Sequence, residues 1–64
     1  MQILYKAKHP THINGHRFNM NEIISVKEYH LVVGGTSMIR FTDMRGNYFS
    51  VTAKIFMNKF TIDE

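Results

Sequence analysis

The chain is expected to fold as one small, mainly β domain over residues 1–64, with about five short antiparallel strands. Three observations predict it. Several segments alternate apolar and polar residues with period two. β-branched residues concentrate in one of these stretches, where their stiff side chains suit a pleated surface. Turn-forming pairs, Asn14-Gly15 and Gly34-Gly35, and a third stretch carrying Gly46 separate the segments.

Residues 2–8 read as the first strand, with Ile3, Tyr5 and Ala7 on one face and Leu4, Lys6 and Lys8 on the other. Pro10 ends it, because proline lacks an amide hydrogen and biases His9 towards extended geometry. His9 to His16 then reads as a loop, with a tight turn at Asn14-Gly15.

Residues 22–33 carry Ile23, Ile24, Val26, Val32 and Val33 and read as strand. Ile24 and Val26 share one face, whereas Tyr29, Leu31 and Val33 share the opposite one. A bulge or short turn near Lys27-Glu28 repairs that phase. Asn19 followed by Glu22 resembles a helix capping box. Lys27 and His30 nevertheless interrupt any helical stripe, so a helix here is the weaker alternative.

Gly34-Gly35 then marks a turn. Residues 37–42 and 48–53 both alternate cleanly around Asp43-Met44-Arg45-Gly46-Asn47 and predict a β-hairpin. Residues 53–58 do not alternate and suit a short helical turn. Residues 59–62 form a last strand with Phe60 and Ile62 facing inward. In architecture alone this succession resembles SH3-like small barrels, a plan that hosts many unrelated functions.

Composition narrows the function classes. Apolar residues make up 44% of the chain and eight residues are aromatic, which argues against disorder. With no cysteine, neither disulfides nor thiolate zinc sites can reinforce so small a core. Good packing, self-association or a partner must do so instead. No apolar run approaches the length of a membrane span or a signal peptide, so a cytoplasmic protein without membrane contact is expected. The formal net charge of +3 favours an acidic partner without choosing nucleic acid over protein.

Three features could carry chemistry. His9, His12 and His16 lie at spacings of three and four, with His30 elsewhere. The bland reading, surface loop histidines, is preferred to a metal site, and no cofactor is expected. Tyr5, Lys6, Lys8, His9, His12, His16, Arg17 and Phe18 group positive charge with rings near the N-terminus. Such a group can hold phosphates and stack on unpaired bases, unless Tyr5 and Phe18 belong to the core. Met38, Arg40, Met44, Arg45 and Tyr48 lie on the outer side or tip of the hairpin. Methionine adapts to irregular surfaces, and Arg and Tyr recur at binding hot spots, unless Met38 is simply buried.

Catalysis finds no support. The acids Glu22, Glu28, Asp43, Asp63 and Glu64 form no evident pair, and Ser25, Ser37 and Ser50 lie in no nucleophile motif. Gly34-Gly35 lacks the Lys and Ser or Thr of a phosphate loop.

The expectation is therefore a non-enzymatic protein that docks on a larger protein and modulates it. Its surface would be Met38, Arg40, Met44, Arg45 and Tyr48. A short chain opening on Met1 suits a phage- or mobile-element-encoded regulator or inhibitor of host machinery. The alternative is a nucleic-acid-binding β-barrel using Lys6, Lys8, Arg17 and Arg40. A homodimer paired along a free strand edge is the third possibility.

Overall fold

The computed structural model describes residues 3–63, without the side chains of His30, Leu31 and Val33. Seven strands and one helix succeed one another along these residues: β1 (Ile3–Ala7), β2 (Thr11–Ile13), β3 (His16–Phe18), β4 (Ile23–Val33), β5 (Thr36–Asp43), β6 (Tyr48–Thr52), α1 (Ala53–Lys59) and β7 (Phe60–Ile62). Five strands form one antiparallel sheet in the order β6-β5-β4-β1-β7, and β2 pairs with β3 alone. The fold is mainly β, as the alternation predicts. None of the helices among the described residues is long and apolar enough to cross a membrane.

The turns arise from local chemistry. Asn14 and Gly15 both adopt positive φ, 49° and 78°, the pairing a type I′ hairpin turn requires. Gly34 and Gly35 do the same between β4 and β5, at 59° and 81°. The phase break in β4 is a register shift between Val26 and Glu28, with another between Glu28 and Leu31. The expected placing of Tyr29, Leu31 and Val33 on one face rests partly on side chains outside the described set.

Three local features depart from expectation, and a fourth, at Asn19 and Glu22, bears out strand over the helix alternative. The 9–16 segment is not a plain loop, since it contributes β2 and the start of β3 to a small hairpin. Asn19 and Glu22 make half of a capping box: the Asn19 N–H donates to Glu22 Oε1 at 3.0 Å, while the Glu22 N–H donates to the Asn19 backbone carbonyl at 3.0 Å, a turn bond rather than a side-chain cap. They close a turn ahead of β4 rather than open a helix. The helical turn extends to Lys59, because Thr52 caps it by accepting from the Ile55 N–H, and Lys8 Nζ donates to the Met57 carbonyl at its other end. Ile62, expected inward, is 49% exposed: it pairs with Tyr5 on an edge strand, where less of the fold covers it.

All five phenylalanines are buried. Phe41 stacks on Phe49 with ring centroids 5.3 Å apart, and Phe18 meets Phe60 edge-on at 5.6 Å. Ala7, Ile13, Ile24, Val26, Ile39, Val51, Phe56 and Phe60 complete the core between the sheet, the small hairpin and α1. Each large buried side chain contributes about 1.5–3 kcal/mol, which such a thin domain needs. The core thus holds the β5–β6 hairpin from within and leaves its outer side and tip for other use.

Candidate functional site

The β5–β6 turn is held by one buried carboxylate. Asp43 Oδ1 accepts from the N–H groups of Arg45 and Asn47, each at 2.9 Å, and Oδ2 accepts from Asn47 Nδ2 at 2.9 Å. The Gly46 N–H donates to the Asp43 carbonyl, and Gly46 takes φ 90°, so the turn is a three-residue hairpin loop. His16 Nε2 lies 3.3 Å from Asp43 Oδ2, which brings the start of β3 onto this turn. Burial opposes ionisation of Asp43. The hydrogen bonds from Asn47 and Arg45, with His16 nearby, outweigh it and hold the carboxyl below its ordinary value.

This pinned turn presents Met44, 69% exposed, and Tyr48, 72% exposed, the largest values among the exposed large apolar side chains. Arg45 is exposed in the same turn, and its guanidinium forms no ion pair among the described residues. The rest of the expected surface divides. Arg40 Nη1 lies 3.3 Å from Glu28 Oε1, a half-exposed pair worth about 0–1 kcal/mol. Met38 is half-buried and faces away from the tip, opposite Thr52 at the far end of β6. Along β5 that separates Met38 from Met44 by about 20 Å.

Met38 belongs instead to an open groove of about 360 Å³, assembled from β2, the Asn14 turn, β5, β6 and α1. Ile13, Met38, Val51 and Ile55 make its apolar lining, and His12 and Lys59 are its two ionisable groups. Lys59 Nζ donates to Thr11 Oγ1, tying α1 to the small hairpin. Sequence reading missed His12, Ile13, Ile55 and Lys59 as neighbours. They lie far apart along the chain, and only the docking of the hairpin gathers them.

The basic and aromatic grouping near the N-terminus disperses. Phe18 is fully buried, and Tyr5 packs edge-on against Phe56 at 4.9 Å. Burial and then the hydrogen bond with Tyr29 raise the Tyr5 hydroxyl above its ordinary value. Lys8 serves the end of α1, Arg17 lies opposite His12 on the small hairpin, and Lys6 lies between Ile23 and Thr61 in the sheet. The histidines separate too: His9 Nδ1 contacts the Pro10 carbonyl, His16 contacts Asp43 and His12 lines the groove. Among the described residues, no three His, Asp or Glu side chains come together as metal donors, and the side chain of His30 lies outside that set.

No protein-family model, no curated protein and no solved structure matches the chain.

Proposed function

We propose that this chain is a non-enzymatic binding domain that docks on a larger protein and modulates it through its β5–β6 hairpin. The observation that carries this reading is the pair Met44 and Tyr48, both exposed at a turn that Asp43 pins by hydrogen bonds. An adaptable thioether, a flat amphipathic ring and the guanidinium of Arg45 form a small anchor of the type that carries binding energy. Pre-organisation matters here, because a turn already fixed loses little conformational freedom on docking. The order β6-β5-β4-β1-β7, with a helix before the last strand, supports reading the scaffold as an SH3-like small barrel.

Site-specific photo-crosslinking in the producing cell tests it. A benzoylphenylalanine at Tyr48 is expected to capture one larger protein, and the same probe at Ile62 on the opposite sheet edge is not. Equal capture at both positions, or none at either, overturns the reading.

A further inference from the structure

β6 is an edge strand with an unguarded edge. Its sequence, Tyr48-Phe49-Ser50-Val51-Thr52, holds no charge and no proline, and it pairs with β5 without a bulge. Charge, proline and bulges are the usual means of stopping an edge from pairing further. The opposite edge strand, β7, is only three residues long.

The phase of the ladder shows which backbone groups are free. The Asp43 N–H donates to the Asn47 carbonyl at 3.1 Å, so the pair 43–47 is hydrogen-bonded. Pairs alternate along an antiparallel ladder, which directs Phe49 and Val51 towards β5 and turns Tyr48 and Ser50 outward. The Thr52 N–H also points outward, while its carbonyl enters α1. None of the backbone bonds formed outside the ladders and the helix among the described residues engages these groups.

The groove runs beside this edge, since Ser50, Val51 and Thr52 line it. Its ionisable side chains, His12 and Lys59, are both bases, and no carboxylate among the described residues lines it. Lys59 spends one ammonium hydrogen on Thr11, and an ammonium carries three.

We propose that β6 takes up an extended acidic segment of a partner protein as an added strand. The segment's backbone bonds Tyr48, Ser50 and Thr52, its apolar side chains meet Ile13, Met38 and Ile55, and a carboxylate meets Lys59 and His12. The inference rests on the chain being a protein-binding domain and names how that domain binds. A second copy fits less well. It would bring a second His12 and Lys59 to the same groove and set base against base.

Four capped, fluorescein-labelled probes test this on the full chain: an alternating Val-Glu decapeptide, its Val-Lys counterpart, and two Val-Glu peptides N-methylated at alternate residues, one in each phase. The Val-Glu probe is expected to bind saturably and to move the amide resonances of Tyr48, Ser50 and Thr52. N-methylation in one phase only, or exchange of Glu for Lys, is expected to weaken it by about tenfold or more. Ser50→Pro removes an outward N–H and is expected to weaken it similarly while the chain stays folded by circular dichroism. If that variant does not fold, the N-methylated probes apply the same test to the unmodified chain.

Equal binding of the Val-Lys probe, indifference to N-methylation in both phases, or no saturable binding overturns the proposal. So does a dimer in sedimentation that Ser50→Pro dissociates, which would assign the edge to a second copy. Tyr48 crosslinking to a larger protein alongside any of those results overturns strand addition alone; loss of crosslinking overturns the binding-domain reading itself.

Discussion

The two hairpins that meet at His16 and Asp43 are built by opposite means. β5–β6 is part of the five-stranded sheet, and β5 pairs with β4 on its other side. β2–β3 has three residues per strand and pairs with no other strand among the described residues. Isolated two-stranded hairpins are at best marginal in water, so side chains must hold this one. Phe18 meets Phe41, Phe49 and Phe60, Ile13 is buried, Thr11 accepts from Lys59, and His16 touches Asp43. The backbone ladder makes one hairpin a platform. Docking alone makes the other a wall of the groove, so the groove is the part of the molecule that local opening reaches first.

Breaking the docking gives the largest expected effect. Phe18→Ala removes a fully buried ring and is expected to cost about 3–5 kcal/mol, comparable to the whole stability of a domain this size. A thermal melt by circular dichroism should show little or no cooperative unfolding. A retained transition within a few degrees of the parent would mean that the hairpin contributes little to the core.

Asp43 serves both hairpins, and Asp43→Ala is expected to cost about 1–3 kcal/mol by leaving the N–H groups of Arg45 and Asn47 without their acceptor. Its depressed carboxyl also predicts the pH dependence. A carboxyl lowered on folding adds stability that is fully present above its unfolded value and is lost as pH falls through the folded one. The melting temperature of the parent should therefore drop below the usual carboxylate range, and that of Asp43→Ala should drop less. Identical acid profiles would remove Asp43 as the cause.

Gly15→Ala sharpens the comparison further. A Cβ there meets nothing within 4 Å, so its penalty is purely the left-handed φ of 78°, about 1–2 kcal/mol. Hydrogen exchange should accelerate in β2–β3 and leave β5–β6 unchanged; equal acceleration in both would mean that the two hairpins open together. The smallest effect belongs to Arg40→Ala, which breaks the half-exposed pair with Glu28 and is expected to cost less than about 1 kcal/mol. That difference should fade in high salt, and a loss that persists would point to packing by the arginine stem.

Much of the main sheet was legible because its signals are local. Asn14-Gly15 and Gly34-Gly35 select their turns through the φ values those residues tolerate, and the two apolar groups flanking Lys27-Glu28 in β4 reveal the bulge through a change of phase. Alternation around Gly46 predicts the β5–β6 hairpin, and Met44 and Tyr48 fall at its tip. The three residues of β2 lie between Pro10 and the Asn14-Gly15 turn, whose loop signals mask so short an alternation, so β2, and with it the groove wall, escaped notice. The bonds between Asn19 and Glu22 are local as well, yet they lead into the strand β4, because burying Ile24 and Val26 outweighs a helix start.

Tertiary structure alone decided which distant residues meet: Asp43 with His16, Lys59 with Thr11, and Ile13 with Met38 and Ile55 around the groove. The physical reason is range. Backbone conformation is set by each residue and its immediate neighbours, so sequence carries it directly. The groove exists only where burial of Phe18 and Ile13 draws a hairpin of little intrinsic stability against β6 and α1, and that energy comes from residues distributed over the whole chain.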